Sequence, residues 1–323
     1  MKILGLSCGR RMGNSEVLLK EALMGVEEVC GAEVEVIRLH DLFIKPCTGC
    51  ESCTESMLKG KEGKCILKND HMPYLWDKLK ESDGLILSAP SFSFTPPGNL
   101  VVLRDRLTRL YKHPNPRVGG LIVVGGSNWI NLCLPLMAIC DPHQTKLVDQ
   151  MVVPFTPRPG QVVLNEWALS RARKLGRNLG RAINMPIDRV KYVGEAMKVS
   201  DAEAEYYSQI MEVPIDWVRY VVDEEETCPI CHSNVLHVRG KFVRCAIDDV
   251  VGTVKINGDK ITVTYDKKEL QKARWTPIEH EWHYNIIQHG HRQYREKKPE
   301  ISEKLKKYRD YGSIVPPPPL KGK

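Results

Sequence analysis

Cys47, Cys50, Cys53 and Cys65 are spaced Cys-x2-Cys-x2-Cys, then eleven residues, then Cys. Three thiolates two residues apart can wrap one corner of a cubane cluster, and a fourth from a loop closes it. A tetrahedral zinc site more often takes its ligands as two separated pairs. The spacing therefore favours a [4Fe–4S] cluster, and with it redox chemistry. A second constellation has the paired form. Cys228-x2-Cys231 is followed, after thirteen intervening residues, by Cys245-x2-Asp248. Two such knuckles make a zinc ribbon, here with Asp248 in the fourth place, where His232, His237 or a tail histidine can substitute. A bound zinc is expected to be structural, because so small a unit buries little core unaided. A ribbon that folds without metal is the alternative.

These two clusters hold seven of the eleven cysteines in the chain of 323 residues. Without a secretion signal they argue against a disulfide framework. Cys30, Cys133 and Cys140 read as small buried hydrophobes. Cys8 precedes a helix, where a thiol can have a lowered pKa, but packing is the simpler role. No apolar run is long enough to cross a membrane, and a cytoplasmic protein is expected. The formal charge of +7 gathers in Arg171–Arg181 and after Lys267. That balance suits anionic flavins, nucleotides or acidic protein partners. There is no nucleic-acid signature beyond the charge, so no nucleic-acid partner is expected.

The elements that position these residues alternate. Strands are predicted at Lys2–Ser7, Glu33–Leu39, Gly84–Ala89, Val118–Val124 and Met151–Phe155. Helices are predicted at Asn14–Cys30, from a cap at Asp70 to Glu81, and at Asn99–Tyr111, Asn131–Leu147 and Glu166–Ile183. The cysteine loop, 45–67, follows the second strand. This order predicts an α/β fold with a doubly wound five-stranded parallel sheet. Residues 1–185 form the main domain and 186–226 a linker with a helix at Asp201–Met211. Residues 227–266 form a small β-rich, ribbon-like unit with a hairpin at Asn257-Gly258-Asp259. Residues 267–323 form a basic, histidine-containing tail with a helix-like stretch at Glu296–Arg309.

Ligands of such sheets bind beyond the carboxyl ends of the strands, so the loops after strands one, three and four are the places to look. The first runs Ser7-Cys8-Gly9-Arg10-Arg11-Met12-Gly13-Asn14-Ser15. Small residues opening a helix offer amides, a hydroxyl and a dipole to a phosphate, with Arg11 adding charge. It is neither a P-loop nor a dinucleotide fingerprint. The second loop contains Pro90, Ser91, Phe92, Ser93, Phe94 and Gly98, whose aromatic rings can pack on a planar ligand. The third contains Gly125, Gly126, Ser127 and Trp129. The plainer reading makes Phe92, Phe94 and Trp129 core residues.

The pattern from Ser7 to Ser15, together with Ala89-Pro90 through Asp105-Arg106, resembles the flavodoxin-like FMN reductases. The cysteine motif narrows the resemblance to the iron–sulfur flavoproteins, over roughly Met1–Met185. Cys8 stands where that family has a small residue, Arg10 where it often has Pro, and Phe92 where Tyr is frequent. The last cysteine interval is longer than its compact form. The resemblance implies FMN, a [4Fe–4S] cluster, and a homodimer or homotetramer in which a cluster faces a neighbouring subunit's flavin. It also implies ferredoxin as donor.

The expected activity is that of an FMN- and [4Fe–4S]-dependent oxidoreductase, moving electrons from ferredoxin or NAD(P)H to a small-molecule acceptor. The alternatives are an NAD(P)H-dependent FMN or quinone reductase with a structural metal, and a non-catalytic redox sensor or partner-binding protein. Candidates for proton transfer are Cys8, His280 and His283. The last two are three residues apart, so they share a face of any helix.

Overall fold

The computed structural model describes residues 1–92, 95–107, 117–126, 133–142, 145–193, 201–212, 214–222, 228–230, 235–246, 248–258 and 260–273. Within 281–303 it describes residues 281, 284–285, 288–289, 292, 294–301 and 303.

Five parallel strands form the main sheet: β1 (Lys2–Ser7), β2 (Glu33–Arg38), β3 (Gly84–Pro90), β4 (Val118–Val124) and β5 (Lys146–Val153). Their order is β2-β1-β3-β4-β5. This is the doubly wound order whose switch point lies between β1 and β3. β4 is buried along its whole length and β3 at all but its last residue. That burial is why both read as unbroken apolar runs.

Two 17-residue helices, α1 (Asn14–Cys30) and α6 (Glu166–Ala182), pack on each other and on the sheet. Their backbones meet at glycine. A Cβ on Gly176 would lie 1.7 Å from the Ala22 carbonyl oxygen, so no side chain fits there. Ion pairs flank the contact. Arg173 bonds Glu21 at 2.7 Å, and Arg177 bonds Glu28 at 2.8 Å. Arg171 reaches the buried Asp149 of β5 with two bonds, at 3.0 and 2.6 Å. The basic stretch Arg171–Arg181 therefore spends much of its charge inside the fold, and it is not a bare cationic face.

The remaining helices of this unit are α2 (Ser52–Leu58), α3 (Met72–Glu81), α4 (Gly98–Asp105) and α5 (Cys133–Cys140). The N-cap of α3 is His71, not the expected Asp70, and it has no side-chain cap; Asp70 lies one residue earlier and accepts from the Met72 amide at 3.2 Å. Further expectations change. The helix expected over Asn99–Tyr111 ends at Asp105. The helix expected over Asn131–Leu147 ends at Cys140, and the last strand begins at Lys146, before Met151. Asp141 accepts from the Thr145 amide at 3.0 Å, closing a turn. Lys146 then pairs with Val118, so ladder hydrogen bonds override helical periodicity. The parts of the predicted helices at 108–111 and 131–132, Asp259 of the hairpin, and 304–309 of the tail stretch lie outside the described residues.

Beyond residue 200 come α7 (Asp201–Met211) and α8 (Ile215–Val222); the second was not expected. An antiparallel sheet follows, in the order β6 (Leu236–Arg239), β7 (Phe242–Cys245), β8 (Val251–Asn257) and β9 (Lys260–Tyr265), then α9 (Lys267–Leu270). Its core of Cys228, Cys245, Val250 and Ala273 packs against Ala138 and Ile139 of α5. The small sheet is thus seated on the helix that follows the third candidate loop. Among the described residues, no helix is long and apolar enough to cross a membrane.

Candidate functional site

The first loop is shaped for an anion. Gly13 precedes α1 with no side-chain cap. The first-turn amides of a helix have no intrahelical partner, and the dipole favours negative charge there. Gly13 donates to the Arg10 carbonyl at 3.1 Å, which makes the loop a tight turn. Met12 takes φ 52, in the left-handed region. The Glu16 carboxylate accepts from its amide at 3.1 Å and holds it there. Gly9 lies so close to its neighbours that a Cβ would fall 2.4 Å from Ser15 Oγ and 3.1 Å from Pro90 Cδ. The first loop therefore lies directly against the end of β3.

Asn14 has another task. Its Nδ2 donates to the carbonyls of Thr156, at 2.9 Å, and Arg158, at 2.8 Å, and its Oδ1 accepts from the Val162 amide at 3.2 Å. It binds the loop after β5 to the start of α1. Ser7 Oγ and Asn99 Oδ1 are buried polar atoms without a partner. Ser7 ends β1, and Asn99 opens α4 beside Pro97-Gly98. Two unpartnered polar atoms at these strand and helix ends fit a polar ligand between the loops.

The second and third loops are tied to this floor. Ser91 donates to the Val124 carbonyl at 2.8 Å, and Gly125 to the Val153 carbonyl at 3.0 Å. Phe92 and Thr95 form a bridge with bonds of 2.9 and 3.0 Å. Phe92 is 57% exposed, so it is a free face and not the core residue of the plainer reading. Arg11 and Gly98 are exposed as well. Ser93, Phe94, Ser127 and Trp129 lie outside the described residues, as do His280 and His283.

Cys8 is 1% exposed. Burial pushes its thiol well above the ordinary value, and Cys140 and Cys133 nearby add to the shift. Packing is its role, and it is no poised thiolate. Cys133 is pushed up to about 12 by burial, against a bond to Ser91.

The cysteine loop is of the opposite character. Cys47 and Cys50 are exposed, Cys53 and Cys65 partly so, and all four are free thiols. Cys53 lies on α2, a helix the sequence reading did not find. The Ser52 hydroxyl and amide and the Thr48 hydroxyl lower the Cys50 pKa. The loop is anchored through Asp70. Its carboxylate accepts from the Lys45 amide at 3.2 Å and from Arg106 Nη1 at 2.7 Å, and the same Nη1 donates to the Lys45 carbonyl at 2.6 Å. Arg106 also reaches the Cys65 thiol. Asp105-Arg106 belonged to the resemblance, but neither Arg106 nor Asp70 was expected at this site. A charged pair at a helix end looks like ordinary surface in sequence.

The last constellation is compact. Cys228, Cys245 and Asp248 have donor atoms within 4.8 Å of one another, and all three are buried. Asp248 Oδ2 lies 3.4 Å from Cys228 Sγ and 4.0 Å from Cys245 Sγ. Cys231 and His232 lie outside the described residues. His237 is exposed on β6, next to the residue paired with Cys245. Successive strand residues face opposite sides, which removes it as a ligand here.

Comparison with known proteins agrees with this geometry. Residues 1–154 match the NADPH-dependent FMN reductase family. An iron–sulfur flavoprotein of Methanocaldococcus jannaschii is 30% identical over 201 residues, 57% of this chain and 98% of that protein. The chain belongs to the flavodoxin-like FMN reductase family. It is an FMN-dependent oxidoreductase. A flavone synthase of Aspergillus candidus is 27% identical over 289 residues, 80% of each chain. A solved structure of a flavone reductase superposes with a TM-score of 0.67 at 22% identity, covering 98% of this chain and all of that one, a likeness of fold.

Proposed function

We propose that the protein is an FMN- and [4Fe–4S]-dependent oxidoreductase working between a reduced donor, ferredoxin or NAD(P)H, and a planar conjugated small molecule. The observation that carries this reading is the placement of α4. Its first turn, Gly98-Asn99, borders the flavin loop. The residue that ends it, Arg106, grips the loop bearing Cys47, Cys50, Cys53 and Cys65. Eight residues of helix span about 12 Å, so the two candidate centres are neighbours on one rigid element. When bound, the cluster supplies single electrons and FMN exchanges one- and two-electron steps.

The chain's own residues supply the rest. The amides of α1 and the turn from Arg10 to Gly13 would hold the FMN phosphate. Phe92 offers a face to the ring or to a planar acceptor. The Cys-x2-Cys-x2-Cys spacing of the loop favours a cluster over a single ion. The planar acceptor rests on the likeness to a flavone synthase, which extends well past the flavin domain. Cys228, Cys245 and Asp248 would hold a structural zinc, with Cys231 completing the set. A homodimer or homotetramer in the cytoplasm is part of the same reading.

A second reading, an NAD(P)H-dependent FMN or quinone reductase without a cluster, has the family description in its favour. Purification without oxygen, with a visible spectrum and assays for flavin, iron, sulfide and zinc, separates the two. Flavin with about four iron and four sulfide per chain supports the first. Flavin with zinc and no iron leaves the second.

A further inference from the structure

Arg106 closes α4 with its side chain 1% exposed, paired to Asp70, whose side chain is wholly buried. A cation removed from water is costly unless its donors are used. Nη1 is used twice, on Lys45 and Asp70. Nε is buried and has no partner. An orphaned donor on a buried guanidinium is costly to maintain. The Arg106 side chain stands beside Cys65, the loop cysteine farthest along the chain from the triplet.

We propose that Arg106 is the positioning residue of the cysteine loop: it seats Cys65 and donates its free N–H to sulfur of the bound cluster, raising that cluster's reduction potential. The inference rests on the cluster reading above. A fixed cation beside a redox centre favours its more negative, reduced state. Hydrogen bonds to sulfur are among the levers that set such potentials. An arginine guanidinium is always charged in a protein. The guanidinium is therefore a constant feature of the loop at any physiological pH. Asp70 offsets part of its charge and fixes its direction, which leaves the fork aimed at the loop.

The test is a potentiometric titration of the anaerobically purified protein followed by electron paramagnetic resonance. It compares wild type with Arg106→Lys, Arg106→Gln and Asp70→Asn, each with its iron and sulfide content. Arg106→Lys keeps a cation for Asp70 but loses the planar fork. At a fixed ambient potential the ratio of reduced to oxidised cluster is expected to fall roughly tenfold in Arg106→Gln, about 59 mV for a one-electron couple. It is expected to fall less in Arg106→Lys, and to rise in Asp70→Asn, which removes a negative charge. If Arg106→Gln does not fold, the Lys and Asn variants decide, since a merely structural role would not shift them in opposite directions. Full clusters at unchanged potential in the variants overturn the proposal. Wild-type protein without iron overturns the cluster reading itself, a different and earlier failure.

Discussion

Arg38, the last residue of β2, holds the carboxylate of Glu16, in the first turn of α1, with two hydrogen bonds of 2.8 Å each. Glu16 is wholly buried, and it also accepts from Lys20 at 2.8 Å and from the Met12 amide at 3.1 Å. An acid beside an anion site is unusual, because it competes with the ligand for the helix dipole. Here it is neutralised by two cations, and its work is to shape the loop: it takes the Met12 amide and stabilises the left-handed backbone there.

That arrangement has a pH signature. Arg38 draws the Glu16 pKa down most, burial opposes it, and Lys20 and Met12 help, so it falls from 4.5 to about 2. A carboxylate with a depressed folded-state pKa stabilises the fold above its unfolded value. That contribution is lost as pH falls from 4.5 through about 2. Glu16→Gln is expected to cost about 1–3 kcal/mol at pH 7, the range for leaving a buried polar partner unsatisfied. It should also flatten the stability curve across that acid window. Urea midpoints at pH 7 and pH 3 measure both; an equal loss at the two pH values would contradict the assignment.

Asn14 makes a sharper prediction, because its amide donates twice and accepts once. Asn14→Asp faces the carbonyls of Thr156 and Arg158 with an anion, whereas Asn14→Ala only removes the bonds. Asp should therefore be the worse substitution, although it is closer in shape. Flavin fluorescence titration is expected to show weaker FMN binding in both, by roughly tenfold for Ala if about 1.4 kcal/mol of loop positioning is lost. An unchanged affinity in both would mean that the loop after β5 does not shape the site.

The elements themselves were legible. The apolar runs of β1, β3 and β4 and the spacing in α1 predicted their positions within a residue, since burial on two faces leaves an unmistakable pattern. Cysteine spacing pointed to Cys228, Cys245 and Asp248, which the fold brings within 4.8 Å of one another. What stayed hidden depends on distant pairing. The β5 ladder claims Lys146 and Leu147 from an apolar stretch that reads as helix. Asn14 reads as a ligand contact, yet its partners lie about 142–148 positions away. Arg106 and Asp70 meet only because α4 ends over the cysteine loop.

The contact between α1 and α6 can be tested by two neighbouring glycines. At Gly176 an added methyl meets the Ala22 carbonyl at 1.7 Å, while at Gly180 the nearest atoms are 3.2 Å away. Overpacking costs about 1–3 kcal/mol or more, and Ala in place of Gly returns about 1 kcal/mol of helix propensity. Gly176→Ala is therefore expected to be strongly destabilising and Gly180→Ala close to neutral. Urea unfolding ranks them, and similar midpoints would show that the helices are not in close contact at Gly176.

The buried trio predicts a metal-dependent small unit. Cys245→Ser and Asp248→Ala are expected to lower zinc per chain and to lower the thermal transition of the β6–β9 sheet. Chelation of wild type should mimic them. Because that sheet rests on Ala138 and Ile139 of α5, flavin retention should fall with it. Zinc-free protein with an unchanged melting profile would make the trio a core contact and no metal site.

The cysteine loop yields the most discriminating comparison. If Cys47, Cys50, Cys53 and Cys65 hold one cubane cluster, each is one of its four protein ligands, and a serine at any one of them weakens the same centre. Iron and sulfide should then fall together in all four serine variants, with the brown absorbance lost in proportion. Flavin should stay bound, because the turn from Gly9 to Ser15 is held by Glu16, Asn14 and Pro90 and by nothing on the cysteine loop. Cys30→Ser is the matched control, a partly buried thiol bonded to the Val26 carbonyl at 3.4 Å, and should leave iron unchanged. The informative case is Cys65. Its interval from the triplet is long, but the contact with Arg106 brings it to the anchored end of the loop. Loss of iron in Cys65→Ser equal to that in Cys50→Ser would make it the fourth ligand. Full iron in Cys65→Ser would place the fourth ligand elsewhere and leave Cys65 as a packing partner of Arg106.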